Sequence, residues 1–117
     1  MGYKYILLLI MLFIIINLDG PLRTNLTANG YNQSNLEVEI ELDSPVTIKC
    51  ESHSEPPALY NIQYNGRQLN QDNSIGSYKI DKLKIEDEGD YICVASNPKL
   101  NNKEERKLKI LVASKSF

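Results

Sequence analysis

Three observations predict an all-β chain folded as an antiparallel sandwich or barrel. From Leu36 onward, apolar and polar residues alternate at period two in segment after segment, the mark of strands with one buried face. Turn signals such as Asp43-Ser44-Pro45, Pro56-Pro57, Asn65-Gly66 and Asn97-Pro98 interrupt that alternation, at roughly the eight- to twelve-residue spacing of sandwiches and barrels. Beyond the N-terminal leader, no window sustains a 3.6-residue period.

The leader comes first. Residues 1–20 read MGYKYILLLIMLFIIINLDG, with Lys4 ahead of an unbroken apolar run from Ile6 to Ile16. A spanning helix needs about twenty apolar residues, whereas a signal-peptide core needs about seven to fifteen. The segment is therefore expected to be a signal peptide, cut between about Asn17 and Ala28. Its product is expected to be secreted and extracellular, with no stable membrane span after cleavage. Residues 21–35 follow as a flexible arm, polar from Thr24 to Asn35 and without alternation. The arm holds two N-glycosylation triplets, Asn25-Leu26-Thr27 and Asn32-Gln33-Ser34, so Asn25 and Asn32 are candidate glycan sites.

The folded domain is expected over residues 36–113, with 114–117 as a tail. Val38, Ile40 and Leu42 alternate with Glu37, Glu39 and Glu41; after a turn, Val46, Ile48 and Cys50 resume the pattern. Tyr60, Ile62 and Tyr64 make the next strand, closed by Asn65-Gly66, a strong hairpin dipeptide. Tyr78, Ile80 and Leu83 follow, then Tyr91, Cys93 and Ala95, and last Leu108, Ile110 and Val112.

Composition removes several function classes. The chain has 117 residues, 13 basic against 15 acidic, for a net charge of −2. Such a chain has no bulk electrostatic pull on nucleic acid or anionic lipid. With one histidine and two cysteines, it carries little catalytic hardware. A nucleophilic triad would have to be built on His53, which reads as a solvated loop residue. Glu86, Asp87, Glu88 and Asp90 cluster without the spacing of a calcium loop. No catalysis, cofactor or metal is expected. Cys50 and Cys93 lie too far apart for a Cys-x-x-Cys metal pair, and their even count fits an oxidising compartment.

One strip decides the architecture. Asp87, Gly89, Tyr91 and Cys93 fit Asp-x-Gly-x-Tyr-x-Cys, and Cys93, Ala95 and Asn97 continue it as Cys-x-Ala-x-Asn. With Tyr78, Ile80 and Leu83 upstream, the strip resembles the immunoglobulin superfamily, closest to its intermediate set, from about Leu36 to Val112. The resemblance implies an immunoglobulin-like Greek-key β-sandwich with one inter-sheet disulfide, Cys50 on strand B bonded to Cys93 on strand F. Tyr91 would be the tyrosine-corner residue, its buried hydroxyl returning to the backbone of the E–F turn. Closing the loop between those cysteines would restrict the unfolded chain by about 4 kcal/mol.

The sequence departs from the pattern of the family it resembles in three places. The usual strand C tryptophan is replaced by Ile62, and the chain has no tryptophan; Tyr60 and Tyr78 are expected to fill around it. The short span from Leu69 to Tyr78 leaves strand D shortened or absent. Asp87 lacks the customary basic partner on strand D, so it must find Arg67, Lys79 or Lys84, or cap the turn at Glu88 and Gly89.

The resemblance implies a binding module: a secreted ligand, receptor-binding domain or decoy that takes an extracellular or cell-surface protein as partner. The alternative is an adhesion or matrix component acting by self-association, as a homodimer. On strand F, Tyr91, Cys93 and Ala95 point inward, so Ile92 and Val94 face out. Leu59 on strand C joins them, beside Asn61 and Gln63, with Lys107 and Lys109 of strand G as a rim. Glu37, Glu39 and Glu41 are expected to lie alongside those lysines, since strand A′ pairs in parallel with G in this family.

Overall fold

The structure, a computed structural model, describes residues 20–31 and 37–114. The expected leader other than Gly20, the second N-glycosylation triplet at Asn32 and the expected tail beyond Ser114 lie outside the described residues. Among the described residues eight strands form: β1 (Leu22–Ala28), β2 (Glu37–Glu41), β3 (Val46–His53), β4 (Leu59–Tyr64), β5 (Arg67–Gln68), β6 (Ser77–Ile80), β7 (Gly89–Asn97) and β8 (Asn102–Ala113). A single 3-10 turn, Ile85–Asp87, lies between β6 and β7. The strands make two sheets, β1-β3-β6 and β2-β8-β7-β4-β5. Only β2 and β8 run parallel; every other pairing is antiparallel. No helix among the described residues is long and apolar enough to cross a membrane.

The core follows from the alternation. Val46, Ile48 and Cys50 of β3 meet Tyr91, Cys93, Leu108 and Ile110 of the other sheet, with Ile62 and Leu83 fully enclosed. Cys50 and Cys93 are bonded between the sheets, their Cα atoms 6.4 Å apart. Ile62 fills the tryptophan position, and Tyr60, Tyr64 and Tyr78 pack against that cluster. The β4–β5 hairpin turns on Asn65 and Gly66, with φ of 52° and 76°, the left-handed pair that a type I′ turn requires.

Residues 21–35 are not an arm throughout. Leu22–Ala28 is a strand, paired with β3 from Leu22 opposite His53 to Ala28 opposite Ile48. Thr24, Leu26 and Ala28 are buried, and Pro21 is buried ahead of them. Thr24 points inward because Glu104 of β8 satisfies it. The Thr24 hydroxyl donates to the Glu104 Oε1 at 2.6 Å and the Thr24 N–H donates to the same oxygen at 3.2 Å. A bulge between Leu22 and Asn25 lets the strand make this reach.

Strand D is absent, as expected: residues 69–76 cross between the sheets without strand structure. Asn70, 5 % exposed, holds the crossing. Its Oδ1 accepts from the Ile62 N–H at 2.9 Å, and its Nδ2 donates to the carbonyls of Tyr60, Asp72 and Ile75 at 2.9, 3.2 and 3.2 Å. One side-chain amide thus supplies the donor and acceptor that a neighbouring peptide would offer to the edge of β4. Without it these buried backbone groups would lie unpaired.

Candidate functional site

The Asp-x-Gly-x-Tyr-x-Cys strip builds the corner between the 3-10 turn and β7. The Tyr91 hydroxyl donates to the Asp87 carbonyl at 2.6 Å. Burial, helped by the neighbouring Asp87 carboxylate, pushes that hydroxyl above the ordinary phenol range, so it remains a donor. Asp87 turns to none of the lysine or arginine side chains expected for it. Its Oδ2 accepts from the Lys84 backbone N–H at 2.8 Å, closing the 3-10 turn from its start. Gly89 takes φ of 141°, and a Cβ there would sit 3.1 Å from the Tyr64 ring, so the motif needs glycine.

Tyr64 is the corner residue that the motif does not name. Its ring stacks on Tyr91 with centroids 4.6 Å apart and 16° between planes. Its hydroxyl lies 2.7 Å from the Glu86 carbonyl and 2.6 Å from the Glu88 carbonyl. Glu88 in turn accepts from the Val112 N–H at 2.8 Å. The corner is thus tied to β4, β7 and β8.

The outer face of the five-stranded sheet is set by register. Three ranks cross β4, β7 and β8: Gln63–Ile92–Lys107, Asn61–Val94–Glu105 and Leu59–Ser96–Lys103. Because Tyr91, Cys93 and Ala95 are buried, Ile92 and Val94 face outward, partly exposed. Leu59 is 37 % exposed, and Leu59, Val94 and Ile92 make an apolar diagonal across the ranks. Asn61, in the middle rank, holds its Oδ1 buried with no hydrogen-bond partner among the described residues.

The rim differs from expectation. Lys107 pairs with Asp90 of β7 at 3.3 Å, not with the glutamate row. The parallel register sets Glu37 opposite Lys109, but Glu39 opposite Leu111 and Glu41 opposite Ala113. The two charged rows are offset because the apolar end of β8 reaches further along β2 than its lysines do. His53 is exposed at the end of β3, beside a surface recess lined also by Arg23, Glu51 and Tyr60. Among the described residues no group of three His, Cys, Asp or Glu side chains could hold a metal ion.

A family model described as an immunoglobulin domain matches residues 31–97, more than half the chain. The chain belongs to the immunoglobulin domain family. Human hemicentin-1 is 31 % identical over 74 residues, covering 58 % of this Ig chain and 1 % of hemicentin-1. Titin from Drosophila melanogaster is 33 % identical over 79 residues, 63 % of the chain and 0 % of titin to the nearest per cent. This Ig domain therefore spans about a hundredth or less of either curated relative. Hemolin, an insect immune protein described with implications for homophilic adhesion, superposes with a TM-score of 0.60 at 20 % identity, over 79 % of this chain and 25 % of hemolin. The second Ig-C2 domain of human Fc-receptor like A gives 0.57 at 20 % identity, over 79 % of this chain and 94 % of that one. These likenesses confirm the fold, and β1 to β8 take the places of strands A, A′, B, C, C′, E, F and G. The immunoglobulin fold is typically non-enzymatic.

Proposed function

We propose that this Ig domain is a secreted module that binds another extracellular protein and performs no catalysis. The partner docks on the outer face of the five-stranded sheet. One observation carries the reading: Leu59, Val94 and Ile92 form an apolar diagonal between the amides of β4 and the charged side chains of β8. An apolar centre with a polar border is the anatomy of a protein-binding patch. Antiparallel sheets with one face in water ordinarily present polar residues there, and the opposite sheet of this domain does so.

The test is a screen of the secreted domain against a library of extracellular ectodomains, repeated with Ile92→Glu and Val94→Glu. Each change is expected to abolish capture of the partner while shifting stability by no more than about 0.5 kcal/mol, the usual surface effect. Unfolding by either variant would place these side chains in the core. Undiminished capture would move the docking site to the loop from Asn97 to Asn102. Sedimentation of the wild-type chain tests the adhesion alternative: a dimer that Ile92→Glu dissolves would make the partner a second copy.

A further inference from the structure

The two outer faces of the sandwich are chemically unlike. On the three-stranded sheet the outward residues include Arg23, Asn25, Lys49, Glu51, His53 and Lys79, all exposed and all polar. The apolar diagonal belongs to the other sheet alone. Asn25 and Thr27, the acceptor and hydroxyl residues of the first glycosylation triplet, stand two apart on β1 and therefore share that polar face. The Thr27 hydroxyl lies 3.5 Å from the Lys49 carbonyl, at the solvent side of the sheet. Between them Leu26, 3 % exposed, anchors the strand in the core.

We propose that Asn25 carries an N-linked glycan, and that this glycan covers the outer face of the three-stranded sheet and leaves the Leu59–Val94–Ile92 face bare. The proposal rests on the reading that the chain enters the secretory pathway. In the transfer, the Asn25 Nδ2 forms a bond to C1 of the first sugar of a lipid-diphosphate-linked oligosaccharide. The C1–O bond to the diphosphate breaks, the lipid diphosphate leaves with the bonding pair, and the amide nitrogen gives up one proton. Chain order makes the acceptor reachable. β1 is synthesised before β3, the strand it pairs with among the described residues, so the triplet emerges ahead of that partner. Once β1 has paired, the glycan projects from an edge strand and displaces no core side chain.

The experiment expresses the full chain in a secreting eukaryotic cell and maps Asn25 by mass spectrometry, before and after treatment with a peptide N-glycosidase. A glycan mass on the Asn25 peptide is expected, lost in Asn25→Gln and Thr27→Val and retained in Thr27→Ser. Lys49, opposite Thr27 in the β1–β3 register, serves as the probe of coverage. Its acetylation by a small amine reagent is expected to speed up when the glycan is removed, while Lys107 on the other sheet keeps its rate. Unmodified Asn25 on protein recovered from the medium would overturn the proposal and leave secretion standing. A glycan whose removal left the Lys49 rate unchanged would overturn the coverage. A chain retained in the cell with Asn25 unmodified would overturn the secretion reading, and the proposal with it.

Discussion

At the scale of single residues, the side chains that matter most are polar and buried. Asn70 has four hydrogen bonds to backbone groups of β4 and the 69–76 crossing. Asn97, 1 % exposed, bridges the Ser54 hydroxyl and the Pro56 carbonyl and accepts from the Lys99 N–H. Asn70→Ala would strand the Ile62 N–H and the Tyr60 carbonyl in a nearly dry place, and each such orphan costs about 1–3 kcal/mol. Equilibrium denaturation should show a loss of at least about 2 kcal/mol with an unchanged m-value. A loss near zero would mean that water reaches the edge of β4. Neither asparagine role was legible in the sequence beyond Asn97's place in Cys-x-Ala-x-Asn, because an amide in a polar stretch looks the same whether solvated or buried. Tyr91 was legible, since a fixed motif names it. Tyr64 was legible only as a strand residue, because its hydrogen-bond partners lie 22 and 24 positions away.

At the scale of elements, legibility tracks the size of the inward side chains. β2, β3, β4, β6 and β8 announce themselves by apolar residues at every second position, most of them large, and β7, whose inward set has one large side chain, is marked instead by its Asp-x-Gly-x-Tyr-x-Cys motif. β1 alternates too, but its inward set of Thr24, Leu26 and Ala28 has one large apolar side chain, so the period is faint and the segment reads as an arm. β5, two residues long, is too short to show any period. The missing strand D was legible from the shortness of the span before Tyr78. The attachment of β1 to β8 has a measurable signature. The Thr24 hydroxyl, with smaller help from Arg106 at 3.4 Å, holds the Glu104 carboxyl below its usual range. A carboxylate whose folded pKa is depressed contributes stability above its unfolded pKa, and that stability is lost as pH falls through the folded value. The wild-type domain should therefore weaken as pH drops below about 4.3, the unperturbed glutamate value. Glu104→Gln should flatten that part of the profile, read as melting temperature between neutral and acid pH. Because the pair is only partly buried, the effect is a fraction of what an enclosed ion would show. An identical acid profile in the variant would assign the acid sensitivity to other carboxylates.

At the scale of the whole molecule, a small sandwich without tryptophan has to hold together by other means. Ile62 fills less volume than an indole, and the ring of tyrosines around it (Tyr60, Tyr64 and Tyr78) completes the layer. Those tyrosines have phenolic ends, and Tyr60 and Tyr64 spend theirs on the Ser52 N–H and the E–F corner carbonyls, so each packs a ring without stranding a polar atom. A core of this size is marginal for its chain length. The inter-sheet bond closes a 43-residue separation, which in the loop-entropy picture restricts the unfolded chain by about 4 kcal/mol. Net stabilities of small domains run from about 5 kcal/mol upward, so at the low end of that range losing this bond raises the unfolded fraction from about one chain in five thousand to about one in six. Cys93→Ala should therefore cut the yield of secreted protein sharply, because unfolded chains are retained and degraded. Cys50→Ala should do the same, since both remove the same closure. The Cys50→Ala, Cys93→Ala double variant should be little worse than either single one, because once the loop is open the second substitution only trades a buried thiol for a methyl. A double variant far below both singles would show that each cysteine contributes by packing rather than by cross-linking.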